Sequence, residues 1–436
     1  TITIDSGKIN GTSYGSGALI GGTGYGAKKI TINGGRLNLD VPYKDGWPSN
    51  LTACGAAIGD GNTSYRDGTV AIEINGGEIN GSTAVNAAVI GTGHGSTTVA
   101  TVTINGGKLN LKSVSGDGKD TTGGACIGTG DQATALGRVT INGGEIIVST
   151  ESGAAAIGGG AGTNGCTVMV NGGTITASTS SSVRAIGRGS YISSGTDGAI
   201  MISGGSLKAT SASETVAALP FGNIQNDDYD DVFETLIYAP NVKSVTVDGV
   251  DWKVSGNHPE DDYLHLWLAE GTHYVAVETE NGTIKYEVVV TPTGKSTATQ
   301  YFDVTYTLTD LTTDGSATVY AGETLSGTLT AADGKQLPEN IAVTIGGWDA
   351  DFTYDATSGA FSVANVSGDV VITAAAVDIP VDKTALNAAI AEAETLDEEA
   401  YTSGTWAALE EALEAAKTVA EDTDSTQSEV DEATEN

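Results

Sequence analysis

Apolar and polar residues alternate in a short pattern that recurs seven times in the first half of the chain. In one copy, a corner of sequence Asn33-Gly34-Gly35 is flanked by the alternating apolar positions Ile30, Ile32, Leu37 and Leu39. A period of two places such residues on one face of a β-strand. Each copy therefore predicts two short strands joined by a glycine bend.

Each copy also contains a run of small residues ending in Ile-Gly, which predicts a third strand. Successive corners are 28 to 42 residues apart, and the shorter units are too short for a propeller blade of about 40 residues. Three strands per unit instead predict a right-handed parallel β-helix over residues 1–228, with surplus residues in outward loops. Stacking would align six isoleucines in one column at a spacing of about 4.8 Å: Ile20, Ile58, Ile90, Ile127, Ile157 and Ile186.

Three further segments follow the repeats, and the predicted fold class is mainly β. Alternation around tight turns predicts a small β-sandwich over residues 229–300. Over residues 301–377, runs such as Val343-Thr344-Ile345-Gly346-Gly347 resemble the Ig-like repeats of bacterial surface and phage tail proteins, which implies a second sandwich. From residue 378 to 436 the apolar period becomes helical and predicts an α-helical bundle.

The helical segment resembles a FIVAR module in three motifs: Asp382 to Leu386, Tyr401 to Trp406, and the Ala- and Leu-rich run from Ala407 to Lys417. That family forms three-helix bundles in large exported proteins of Gram-positive bacteria. The order of β-helix, Ig-like and FIVAR segments resembles a multidomain Gram-positive cell-surface protein. The resemblance implies an extracellular chain, either attached to the cell wall or secreted. The residues from Gln427 to Glu435 are expected to begin the third helix.

The chain is strongly acidic, and its charge is uneven. It has 55 acidic and 20 basic residues, a formal charge of -35, yet residues 1–228 hold 16 acids and 13 bases. Such a field repels nucleic acid and anionic membranes, which argues against both as partners. No apolar run is long enough for direct membrane insertion. The three cysteines are few and scattered, which predicts free thiols.

The corner asparagines form the first candidate site. Stacked copies would bring their amides together, where they can hydrogen-bond along the stack as a structural ladder. The alternative is a polar row that binds sugar hydroxyls. The ladder residues are Asn33, Asn75, Asn105, Asn142 and Asn171.

Aromatic residues in the turns and insertions form the second candidate site. Exposed aromatic faces beside polar groups are typical of surfaces that stack on sugar rings. The strongest patch is the insertion Pro42 to Pro48, although Trp47 could instead fold back and pin its own loop. The candidate ligand-binding residues are Tyr43, Asp45, Trp47, Tyr65 and Tyr191.

Ionisable residues give weaker signals, and no catalytic residue is assigned. Asp45, Asp60, Asp67, Asp117, Asp120 and Asp131 could supply a catalytic carboxylate pair, but the competing interpretation is solvated loops. His94 has no partner apparent in the sequence, and His258, His265 and His273 are interpreted as surface strand residues. No cofactor is required, although hard oxygen ligands could hold Ca²⁺ at Asp227, Asp228, Asp230 and Asp231.

Three functions remain open from these patterns. The leading hypothesis is a non-catalytic, adhesin-like surface protein whose β-helix presents loops to a glycan or another host or matrix ligand. The second is a glycoside hydrolase or polysaccharide lyase acting along the β-helix face. The third is a structural spacer or fibre subunit that self-associates through an open N-terminal coil.

Overall fold

The computed structural model describes residues 1–22, 28–43, 54–62, 68–114, 122–133, 137–190, 196–213, 217–220, 224–259, 261–292 and 296–436. These residues form two compact units, Thr1–Tyr301 and Phe302–Asn436. The protein is mainly β, with a curled parallel sheet in the first unit and three α-helices in the described C-terminal residues. In the part of the chain that the structure describes, no helix combines the length and apolar composition needed to cross a bilayer.

Short parallel strands fill the repeat region, residues 1–228. In chain order they are β1 (Ile2–Ile4), β2 (Lys8–Thr12), β3 (Ile20–Gly22), β4 (Lys29–Ile32), β5 (Arg36–Val41), β6 (Ile58–Asp60), β7 (Thr69–Ile74), β8 (Glu78–Thr83), β9 (Ile90–Gly91), β10 (Val99–Ile104), β11 (Lys108–Val114), β12 (Ile127–Gly128), β13 (Arg138–Glu151), β14 (Ile157–Gly158), β15 (Thr167–Thr179), β16 (Ile186–Gly187), β17 (Ile200–Ser211) and β18 (Ile224–Gln225).

Successive copies pair in parallel and in register. The strands before each corner pair with one another, as Ile2 with Ile30, and so do the strands after it, as Leu37 with Ile79. From β13 onward one long strand runs through the corner. The short Ile-Gly strands pair in the order β16-β14-β12-β9-β6-β3, which confirms the predicted isoleucine column. This pairing is incompatible with the antiparallel blades of a propeller.

Close backbone stacking explains the Asn-Gly-Gly corner. A Cβ at Gly76 would lie 2.9 Å from the carbonyl oxygen of Asn33 in the preceding copy. Gly77 has a φ of +90°, a left-handed conformation that L side chains rarely adopt. The first glycine therefore permits close approach, and the second permits the bend.

The strands of each copy enclose one continuous apolar core. Its fully buried side chains include Ile30, Leu37 and Ile58 from a single turn of the chain. Cys126 and Cys166 are also buried in this core, and all three cysteines are free thiols. At the C-terminal end of the repeat region the core is extended by Leu219 and Trp267.

Residues 229–301 complete the first unit as the antiparallel segment. The strands are β19 (Val232–Tyr238), β20 (Val242–Val247), β21 (Val250–Asp251), β22 (Tyr263–Ala269), β23 (Gly271–Thr279), β24 (Gly282–Val290) and β25 (Thr297–Thr309), the last continuing into the second unit. The core of the segment lies between the β19–β22 pair and a second sheet containing β20, β23 and β24.

The second unit has a strand-rich part with a core around Val363, Val370 and Ile372. The strands are β26 (Leu311–Thr313), β27 (Thr318–Tyr320), β28 (Leu325–Ala331), β29 (Lys335–Gln336), β30 (Ala342–Ile345), β31 (Trp348–Asp349), β32 (Thr353–Tyr354), β33 (Ala360–Val363), β34 (Val370–Ala375) and β35 (Val377–Asp378). Residues 304–309 pair in parallel with β34, whereas the pairs β26–β28, β28–β33, β32–β33, β30–β31, β30–β34 and β29–β35 are antiparallel.

Helices α1 (Thr384–Ala393), α2 (Ser403–Glu421) and α3 (Gln427–Glu435) end the chain, with a 3₁₀ turn at Glu398–Ala400. One buried residue from each helix, Leu386, Ala416 and Val430, forms their small common core. A capping box between Thr426 and Glu429 fixes the start of α3.

Candidate functional site

A ladder of amides runs along the corners of the repeat region. Nδ2 of each corner asparagine donates to the Oδ1 of the preceding copy, beginning with Asn33 to Asp5 at 2.6 Å. The following donors are Asn75, Asn105, Asn142 and Asn171, at 2.7 to 2.9 Å. Because most of these amides hydrogen-bond on both sides, the ladder stabilises the corners more directly than it offers groups to a ligand.

A second amide row lies five residues after the corners. Asn38 donates to Asn10 at 2.7 Å, and Asn80 donates to Asn38 at 3.1 Å. Asn110 continues the row in register. The predictions made from the corners missed this row, although an Asn recurs at the same offset in four copies of the sequence.

These amides belong to a surface that we call the outer polar face, formed by the outward residues of β2, β5, β8 and β11. Arg36 and Glu78 form an ion pair across it at 2.8 Å, and Lys108 at its border pairs with Glu145 of β13 at 2.7 Å. Ser82 donates to Asp40 of the preceding copy. The face thus presents amides, hydroxyls and paired charges on a regular parallel sheet.

In the sixth and seventh copies, the same side of the sheet is covered by the antiparallel segment. Thr174 donates to the carbonyl oxygen of Gly256 at 2.8 Å. The ring of His258 bridges two hydroxyls, with Nδ1 2.9 Å from Oγ1 of Thr176 and Nε2 2.7 Å from Oγ of Ser206. In these two copies the outward hydroxyls of the sheet therefore hydrogen-bond to the antiparallel segment of the same chain.

The interpretation of His258 and His265 as surface residues is wrong. They are 3% and 8% exposed, because this side of the antiparallel segment packs on the repeat region. Burial and the neighbouring His265 lower the pKa of His258 to about 4, so its ring is neutral over the physiological range. His273, by contrast, pairs with the partly exposed Asp248 at 2.8 Å.

A charged cluster surrounds this packed surface. Lys208 of the repeat region pairs with Asp261, and Nε2 of His265 lies 3.2 Å from the same carboxylate. Nδ1 of His265 lies 2.7 Å from Oε1 of Glu234. Although partial burial opposes ionisation of Asp261, hydrogen bonds from Lys208, the Tyr263 amide and His265 lower its pKa below the usual range. These pairings satisfy charges that packing would otherwise leave desolvated.

Two exposed tyrosines lie at one end of the outer polar face. Tyr14 follows β2 and is 50% exposed, and Tyr43 follows β5 and is 36% exposed. Because β2 and β5 are paired in register through Thr12 and Asp40, both tyrosines leave neighbouring strands at the same edge. The other candidate ligand-binding residues, Asp45, Trp47, Tyr65 and Tyr191, lie outside the described residues.

Two of the candidate acids are buried, so the solvated-loop interpretation is wrong for them. Asp60 is 8% exposed and Asp131 is 3% exposed. Asp60 is the last residue of β6, and Asp131 lies three residues after β12. Burial raises the pKa of Asp131 to about 7, against a smaller lowering by the amide of Gln132. Asp45, Asp67, Asp117 and Asp120 lie outside the described residues.

His94 occupies the position in its copy that Asp131 occupies in the next, four residues after the strand isoleucine. Its Nε2 lies 4.0 Å from Oδ2 of Asp131, which is too far for a hydrogen bond. Within the described part of the chain, neither ring nitrogen has a hydrogen-bond partner. Burial lowers the pKa of His94. Both side chains are shielded from solvent.

The acidic turn after β18 is organised by Asn226. Its side-chain oxygen accepts from the amides of Asp228 and Asp230 at 3.0 and 2.9 Å. Among the described residues, no group of three or more His, Cys, Asp or Glu side chains is arranged to share a metal ion. Calcium binding stays a prediction for Asp227, Asp228, Asp230 and Asp231.

Comparison with protein families confirms one resemblance. Residues 382–436 match the FIVAR domain family. The matched range contains all three described α-helices. Comparisons with curated proteins and with solved structures found no match for the chain.

Proposed function

We propose that the chain is part of an exported bacterial surface protein, in which a right-handed parallel β-helix is followed by two Ig-like β-sandwiches and the FIVAR module. The in-register parallel pairing of seven copies supports the β-helix. FIVAR domains occur in extracellular bacterial surface proteins, which supports the location. The acidic composition also fits this location, because an acidic chain repels nucleic acid.

Its proposed role is non-catalytic and adhesin-like: the outer polar face and its flanking loops bind a glycan or another host or matrix ligand. One observation carries this proposal. The side of the sheet that recognises the antiparallel segment through Thr174, Thr176 and Ser206 continues into the first four copies, where Asn10, Lys108 and their neighbours are exposed.

The chemistry of this face suits sugars. Amide rows and hydroxyls donate and accept hydrogen bonds at a spacing of about 4.8 Å. Tyr14 and Tyr43 provide exposed aromatic surface at its edge, on which the C–H face of a sugar ring can stack. The paired charges keep the face nearly neutral, so an uncharged glycan is favoured over a polyanion.

The test is a broad glycan array and a panel of matrix proteins probed with the full chain, followed by titration of any hit. The variants Tyr14→Ala, Tyr43→Ala and Trp47→Ala should each weaken binding about tenfold. Trp348→Ala is the matched control, because Trp348 is 82% exposed in the other unit. Binding that all three repeat-region variants leave unchanged, or an absence of any hit, would contradict the proposal.

A second candidate is a glycosidase or polysaccharide lyase, favoured by one observation. The raised pKa of Asp131, about 7, is what a general acid requires near neutral pH. Its burial weighs against direct contact with a polymer. Release of reducing ends or unsaturated uronate from a polysaccharide panel, lost in Asp131→Asn, would support this candidate. A panel without product would remove it.

A further inference from the structure

A cavity of about 330 Å³ lies between the end of the repeat region and the antiparallel segment. Both parts belong to the same compact unit. Its apolar lining includes Leu219 and Ile224 from the last turn of the repeats, and Phe233 and Trp267 from β19 and β22. The volume is at the lower end of the range for small-molecule sites, about 300 to 1,000 Å³.

Two carboxylates, Asp231 and Glu234, line the same cavity. Among its described lining residues there is no Lys, Arg or His. Of the nearby basic side chains, Lys208 is paired with Asp261, and Nδ1 of His265 lies 2.7 Å from Oε1 of Glu234. An apolar cavity with this charge favours a cation and disfavours an anion.

The aromatic residues strengthen that preference. The indole Nε1 of Trp267 donates to the carbonyl oxygen of Leu207 at 3.0 Å, which holds the ring against the repeat region. Trp267 is 9% exposed, so its indole is largely withdrawn from solvent. Aromatic rings attract ammonium groups, and most strongly where water is excluded.

We propose that this cavity binds a small organic ammonium compound, with a compact apolar body on Leu219, Phe233 and Trp267 and its cationic head at Asp231 and Glu234. The shared chemistry includes quaternary ammonium groups of the choline type and primary amines with an aromatic or alkyl body. The site is separate from the outer polar face, so it does not depend on glycan binding.

The experiment titrates the full chain with choline and with benzylamine by calorimetry, each beside a neutral compound of similar shape, 3,3-dimethylbutanol and benzyl alcohol. Saturable binding of at least one ammonium compound is expected, with its neutral counterpart about tenfold weaker or more. Binding of choline alone identifies a quaternary ammonium ligand, and binding of benzylamine alone identifies a primary amine.

Variants locate the binding in the cavity. Asp231→Asn should weaken binding about tenfold, and Leu219→Trp should abolish it by filling the space. Asp228→Asn, in the exposed turn, is the control and should bind as the wild type. Circular dichroism and thermal melting establish that each variant is folded, and Asp231→Asn decides the question if Leu219→Trp does not fold.

Three results would overturn the proposal. The first is no saturable binding of either ammonium compound. The second is equal binding of the neutral counterparts, which would leave the carboxylates without a role. The third is unchanged binding in folded Asp231→Asn and Leu219→Trp, which would place the ligand elsewhere.

Discussion

Nε2 of His94 lies 4.0 Å from Oδ2 of Asp131, and the two residues are 7% and 3% exposed. They occupy equivalent positions in adjacent copies of the repeat. Burial raises the pKa of Asp131 to about 7 and lowers the pKa of His94. Below about pH 7 the stack therefore holds a protonated carboxyl at Asp131, and above it a desolvated carboxylate, while burial disfavours the charged form of the neighbouring imidazole.

This pair predicts a pH-dependent effect of Asp131→Asn. The folded pKa of Asp131, about 7, exceeds the ordinary value of 3.8, so the folded state binds the proton more tightly than the unfolded state. The contribution of Asp131 to stability is full below pH 3.8 and is lost as the pH rises through about 7. Relative to the wild type, Asp131→Asn should therefore be more stable at pH 8 than at pH 5.

Urea unfolding of both proteins at the two pH values measures this difference. Asp228→Asn, which removes an exposed carboxylate, is the control and should show a much smaller dependence. An equal effect of Asp131→Asn at pH 5 and pH 8 would show that the carboxyl is not protonated in the folded protein.

His258 predicts the opposite pH dependence. Its folded pKa of about 4 lies below the ordinary 6.5, because burial disfavours the charged ring between Thr176 and Ser206. The contribution of neutral His258 is present above pH 6.5 and is lost as the pH falls toward 4. The titratable groups facing it are His265, Asp261 and Lys208.

His258→Gln should remove the loss of stability at low pH, since glutamine stays neutral and can still form a hydrogen bond with a hydroxyl. Thermal melting of wild type and variant between pH 7 and pH 4 would measure it, with His273→Gln as the control outside the packed surface. A melting temperature that falls equally in wild type and His258→Gln would count against the neutral bridge.

The glycine of the Ile-Gly strand β9 lies against the backbone of the next copy, so replacing it should strongly destabilise the fold. A Cβ at Gly91 would lie 1.8 Å from the carbonyl oxygen of Gly128, and its φ is +141°. Gly91→Ala should therefore destabilise the first unit by about 4 kcal/mol or more, read as loss of soluble protein or of the cooperative melt. Gly15→Ala is the control, because its Cβ would meet nothing within 4 Å.

Removing one amide from the corner ladder should lower the free energy of unfolding by a smaller amount. Asn105 donates to Asn75 at 2.7 Å and accepts from Asn142 at 2.8 Å. Asn105→Ala should cost about 1 kcal/mol, because two net hydrogen bonds are lost at a partly hydrated corner. Asn110→Ala, at an exposed position on the second amide row, should cost less in the same urea titration. Equal costs would show that the ladder bonds add nothing to stability.

The repeat periodicity was enough to predict how copies stack. Only in-register parallel pairing places Ile20, Ile58 and Ile90 together, and each of these residues has the same flanking glycine. Local pattern and long-range pairing coincide here because every copy satisfies the same backbone geometry.

Packing between different parts of the first unit could not be predicted in the same way. His265 alternates with apolar residues in β22, which is typical of a sheet with one face in water. That face instead packs on the repeat region, and Trp267 on the same face was the available signal. Asp131 was misjudged for a related reason, since a polar residue after a turn gives no indication that the neighbouring copy encloses it.

The parallel register also has a mechanical consequence. The backbone hydrogen bonds between copies, such as Asn75 to the carbonyl oxygen of Ile32 at 2.7 Å, point along the stacking direction. Tension along that direction therefore opens the bonds of one copy in succession rather than shearing all copies at once. Under such tension the repeat region should yield one copy at a time, and each detached copy lengthens the chain and dissipates work before the next one carries the load.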